Sequence, residues 1–120
     1  MRGILIDPFK RTVTDVETDS SLDEIYSLLC IDMITAVAFD RKHVMFLDDE
    51  GLLKNKDEQA YFQLKGANQP FAGRGLIFAD DYGENRAATV SLEKVRDSVT
   101  FLDNANVQPE AYLGWTVTAW

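Results

Sequence analysis

Apolar residues in this chain gather into short runs, broken by Asp, Gly, Pro and Asn. The first run, GILID from Gly3 to Asp7, is apolar almost throughout and predicts a buried strand. Asp7-Pro8 then favours a turn, and Arg11 to Thr18 carries Val13 and Val16 among β-branched and polar residues. Together these predict an N-terminal hairpin. The pattern next changes period. Leu22, Ile25, Tyr26 and Leu29 recur at helical spacing behind Ser21 and Glu24, the serine and glutamate of a capping box.

From Met33 the period-two pattern returns. Met33 to Asp40 and Arg41 to Asp49 predict two strands joined by a tight turn near Asp40 to Lys42. Glu50 to Gln59 mixes a hairpin return with a charged loop. Ala60 to Gly66 predicts a further strand, or a short helix starting near Asp57. Ala67 to Gly75, dense in Gly, Asn and Pro, predicts a loop. Leu76 to Asp81 predicts a strand and Asn85 to Val90 its return. Ser91 to Asp103 predicts a second helix, capped by Ser91 and apolar at Leu92, Val95, Val99 and Leu102. After a connector from Asn104 to Ala111, Tyr112 to Trp120 predicts a closing strand. Seven or eight strands, mostly hairpins, with two helices make the expected class α+β: a mostly antiparallel sheet with both helices packed on it. No linker divides the chain, so a single domain over 1–120 is expected, with 112–120 as an added or interface strand.

Composition narrows the function. Twenty acidic residues against twelve basic ones give a net charge of −8. That opposes a nucleic-acid groove and an anionic membrane surface, both of which need clustered Lys and Arg, and suits a partner with a basic surface. Cys30 stands alone in an apolar run, the setting of a buried thiol. The apolar start before Asp7 is too short for a signal peptide or a membrane span, so a cytoplasmic location is expected.

Two stretches nearly repeat: VMFLDDEGL from Val44 and LIFADDYGE from Leu76. Each ends in an aspartate pair followed by a glycine. Calcium loops alternate their oxygen ligands, whereas adjacent residues of a strand face opposite ways. A type I turn with a bulge, closed by Gly51 or Gly83, explains both stretches better than a metal site, and no metal or cofactor is expected. The glycines of Gly73-Arg74-Gly75 precede a strand instead of following one. That reverses the order of a dinucleotide-binding loop, though Arg74 between Gly73 and Gly75 still offers an anion site. His43, the single histidine, has no nucleophile elbow to serve. Most aromatics lie in strand runs and suit a core, while Trp120 suits either docking on the sheet or a homodimer contact through the C-terminal strand.

The segments MRGILIDPFKRTVTDVE, LDDEGLLKNKDEQAYFQL and PFAGRGLIFADDYGE resemble a family of small uncharacterised proteins of phages, plasmids and bacterial genomes. The likeness covers about residues 1–103. It implies no catalytic residues. It does imply a mobile-element setting, in which small acidic proteins often bind a host or defence protein. The expected function is therefore non-enzymatic: modulation of a protein partner, with Asp48, Asp49, Glu50, Asp80, Asp81, Tyr82 and Glu84 as the contact. The alternatives are an anion or small-molecule site at Gly73, Arg74 and Gly75, and an enzyme with no nominated mechanism.

Overall fold

The computed structural model describes residues 1–29, 31, 33–49, 59–67 and 69–102. Its centre is an antiparallel sheet in the order β2-β1-β7-β4-β3, formed by Thr12–Glu17, Arg2–Asp7, Gly75–Asp81, His43–Asp48 and Ile34–Ala38. β8 (Glu84–Arg86) pairs with the far end of β7, on the side that β1 occupies at its near end. A second sheet runs β6-β5-β9, from Phe71–Ala72, Tyr61–Leu64 and Val99–Leu102. The helices are α1, Leu22–Leu29, and α2, Leu92–Ser98. Two helices on mostly antiparallel strands make the class α+β.

Both faces of the central sheet are covered, which accounts for the near-continuous apolar runs in β1 and β7. On one face Ile4, Ile6, Met45, Leu47 and Ile77 pack with Phe62, Leu64 and Phe71 of the second sheet and with Val95 of α2. On the other, Leu76 and Phe78 pack with Ile25 and Leu29 of α1. Alternate residues of one strand thus serve two cores, so neither face shows the polar alternation of a half-exposed strand. The sheets meet most closely at Gly75. A Cβ there would lie 2.9 Å from Met45 Sδ and 3.2 Å from Phe62 Cζ, so a side chain is excluded by packing.

Three elements differ from the sequence expectation. The second helix stops at Ser98, and Val99–Leu102 pairs antiparallel with β5. Val99 and Leu102 match a helical period, but Val-Thr-Phe-Leu is also β-branched and aromatic, and pairing with Leu64 through Tyr61 decides in favour of a strand. Phe71–Ala72, within the expected loop, adds a short strand to β5. The return after β7 holds strand geometry only to Arg86, and 87–90 becomes a connector to α2. The capping box at α1 is half formed. Ser21 Oγ accepts from the Glu24 N–H at 3.3 Å, but the Glu24 carboxylate accepts from the Asp19 N–H, and Asp19 takes the Ser21 N–H.

Polar side chains fasten the connector. His43, 5% exposed, accepts at Nε2 from the N–H of Thr89 at 3.1 Å and of Val90 at 3.3 Å. Those donors place the ring proton on Nδ1, which donates to Asp40 Oδ1 at 2.9 Å. From β1, Arg2 Nη1 donates to the carbonyls of Ala88 at 2.9 Å and Val90 at 2.8 Å. The segment's N–H groups and carbonyls are thus satisfied from two different strands, as buried backbone requires. Leaving these groups paired is what lets a non-regular segment cross the sheet. Cys30, Glu50 and the expected C-terminal strand 112–120 with Trp120 lie outside the described residues.

Candidate functional site

The acidic repeats do not converge. Phe46 pairs with Leu76 and His43 with Ala79, so β4 and β7 run in opposite directions. Continuing that register places Asp48 level with residue 74. Asp80 lies six residues further on, about 20 Å along the sheet at 3.3 Å per residue. The two aspartate pairs therefore stand at opposite ends of the central sheet and cannot share a cation. They also differ in exposure. Asp48 is 6% exposed, while Asp49, Asp80 and Asp81 are on the surface. Asp48 thus faces the interior instead of offering a contact.

The β7–β8 hairpin is the more informative end. Asp81 pairs with Glu84, leaving Tyr82 and Gly83 as a two-residue turn. Their φ values are 51° and 89°. Positive φ at both central positions is the requirement of a type I′ turn, which prefers Asn-Gly or Asp-Gly. This replaces the expected type I turn with a bulge. Gly83 supplies the second position without steric cost. Tyr82 occupies the first, where a bulky residue is an outlier, and its side chain is fully exposed (103%).

The acids around Tyr82 are partly occupied. Asp80 Oδ1 accepts from the Gly83 N–H at 3.1 Å, stabilising the turn. Arg86 lies 2.6 Å from Glu84 Oε2 and 3.4 Å from Asp81 Oδ2. The β3–β4 turn lies alongside, where the Asp80 N–H donates to the Lys42 carbonyl at 2.8 Å. Arg41 and Lys42 therefore border the hairpin, and the acidic tip sits in mixed charge. What distinguishes the tip is an unburied aromatic ring on a strained backbone. The sequence signal was a Tyr-Gly pair between two strands, at a place where the turn chemistry calls for Asn-Gly.

At the other end of the sheet, the Gly73-Arg74-Gly75 loop is tied down. The Gly73 N–H donates to the Ala60 carbonyl at 2.8 Å. Arg74 Nε lies 3.3 Å from Asp7 Oδ2, and its guanidinium stacks 4.6 Å above the Phe9 ring. Asp7 is buried and also accepts from the Phe9 and Lys10 N–H groups. Arg74 thus joins the loop to the β1–β2 turn, and Gly75 serves the packing of the two sheets. Asp40 is the ionisable group next to buried His43. Burial works to raise its pKa, but hydrogen bonds from the Lys42 N–H and from His43 outweigh that and hold it below the usual carboxylate value.

Residues 1–101 match the family model of a domain of unknown function, DUF3846. No curated protein and no solved structure matches the chain. Among the described residues no helix is long and apolar enough to cross a membrane.

Proposed function

The chain belongs to the DUF3846 family, and within it we propose a non-enzymatic protein-binding role centred on the β7–β8 hairpin. The observation that carries this reading is Tyr82, fully exposed at a positive-φ turn position. Left-handed backbone costs a residue with a Cβ roughly 1–2 kcal/mol, and an exposed ring recovers none of it by burial. Strain of this kind collects where a side chain is presented for use, and tyrosine is an established anchor of protein interfaces. Asp80, Asp81 and Glu84 flank Tyr82 along the hairpin, so the partner proposed is a protein with a basic surface, of the type that handles nucleic acid. The binding would modulate or inhibit a host or defence protein in the cytoplasm, in the phage- or plasmid-borne setting that the family resemblance implies.

Asp49 stands at the opposite end of the sheet and is not part of this contact. The anion reading at Gly73, Arg74 and Gly75 ranks lower, because Arg74 is already engaged by Asp7 and Phe9. The test is affinity capture from the native host with three chains. Wild type and Asp49→Lys should retain a basic partner, and Asp80→Lys/Asp81→Lys should lose it. Equal capture by all three would refute the contact.

A further inference from the structure

A cleft of about 380 Å³ opens between the edge of β2 and the α2–β9 unit, lined by Arg11, Thr12, Val13, Thr14, Arg96 and Phe101. Its cations differ from three of the four other arginines. Arg2, Arg74 and Arg86 each lie beside a carboxylate. Among the described residues neither Arg11 nor Arg96 makes an ion pair, although the chain carries a surplus of eight negative charges. Arg96 Nη2 donates to the Val13 carbonyl at 3.0 Å, which lays the guanidinium across the β2 edge, its other donors meeting no acceptor among the described residues. The same bond shows that the Val13 carbonyl points away from β1. In an antiparallel strand a residue's N–H and C=O point to the same side, so the Val13 N–H also points out of the sheet edge, along the cleft.

One wall of the cleft therefore holds two guanidinium forks and an outward backbone N–H, along the β2 edge at Thr12 to Thr14. Forked guanidiniums suit the oxygens of a phosphate. The remaining wall is apolar, from Val13 and the half-buried Phe101 ring. Clefts of this volume suit small molecules. We infer that the Arg11–Arg96 cleft is a binding site for a phosphate monoester carrying a flat apolar group, with a nucleoside monophosphate as the representative ligand. The phosphate sits between the guanidiniums and the flat group lies against Phe101. This site is separate from the Tyr82 hairpin and from the Gly73-Arg74-Gly75 loop, and it stands whether or not the hairpin reading holds.

The full chain, labelled with ¹⁵N, is titrated with AMP, inorganic phosphate and adenosine. AMP should move the Val13 and Thr14 amides and the Arg11 and Arg96 side-chain Nε–H signals to saturation. Phosphate should do so more weakly, and adenosine not at all. Arg11→Asn removes the charge at an exposed position with φ 55°, a conformation that asparagine tolerates. The melting temperature should therefore hold or rise while AMP binding weakens by at least about tenfold. Arg96→Gln should weaken it similarly. The proposal is overturned if AMP leaves these signals unmoved, if adenosine moves them as AMP does, if phosphate alone binds as tightly as AMP, or if both variants bind AMP as wild type does.

Discussion

Gly75 and His43 are single residues that hold neighbouring parts of the fold together. At Gly75 any side chain would press on Met45 and on the Phe62 ring, both buried. Met45 can shift its sulfur, but a ring in a packed core has little room to yield. Gly75→Ala should therefore destabilise the protein by about 1–3 kcal/mol, the usual cost of overpacking, read as a lower denaturant midpoint. His43→Ala would leave the buried Val90 N–H and the Thr89 N–H without their acceptor. A loss on the order of 2 kcal/mol or more is expected, with faster amide exchange at Thr89 and Val90 reporting where it arises. Neither role was legible in the sequence. The Gly-Arg-Gly triplet reads as a flexible loop or an anion site, and a lone histidine in a strand run gives no sign of which backbone amides it will meet. The N–H donors that His43 accepts from and the carbonyls that Arg2 donates to come from parts of the chain more than 40 residues away in sequence, beyond the reach of any local pattern.

At the scale of elements, local period served where it agreed with packing and failed where two periods fitted. The N-terminal hairpin, α1 and the β3–β4 hairpin follow the apolar pattern and its turn residues closely, whereas the β7–β8 hairpin is found with a different turn and a shorter return strand. Val99–Leu102 fits both a helical and a strand pattern, and only the presence of β5 alongside settles it. The β3–β4 turn also sets a pH dependence. The Asp40 pKa is lowered in the folded chain: burial opposes the shift, but the Lys42 N–H and His43 overcome it. A carboxylate with a depressed folded pKa contributes stability above its unfolded value, and loses it as pH falls through the folded value. Unfolding free energy should therefore decline in the acid range. Asp40→Asn should show a shallower decline there, with the gap between the two chains widest near neutral pH and closing as the pH drops. Denaturant titrations across that range measure it.

For the molecule as a whole, the sequence showed the α+β class and the apolar strands, because a sheet covered on both faces leaves a strong hydrophobic signature. It did not show that the two Asp-Asp stretches stand at opposite ends, since that depends on β4 and β7 pairing antiparallel across 26 intervening residues. Nor did it show that Arg2, Arg74 and Arg86 lie beside carboxylates while Arg11 and Arg96 line a cleft. The net charge of −8 remains a fair description of the chain, but the surface is not uniformly acidic. The Tyr82 hairpin is bordered by Arg41 and Lys42, and Arg11 and Arg96 share a cleft with no carboxylate paired to either among the described residues. Charge alone does not choose between the two aspartate pairs; the exposed Tyr82 ring on left-handed backbone is the ground for proposing the contact at the β7–β8 hairpin.

The proposed contact requires that Tyr82 be held at a backbone cost because its ring is used for binding. The most direct measurement is a paired one on Tyr82→Asn, which creates the Asn-Gly turn that this hairpin geometry prefers. Denaturant unfolding and capture of the partner would be read on the same preparation. Tyr82→Asn should be more stable than wild type by about 1 kcal/mol and should no longer capture the partner. A variant that gains no stability, or that captures its partner as wild type does, would contradict it.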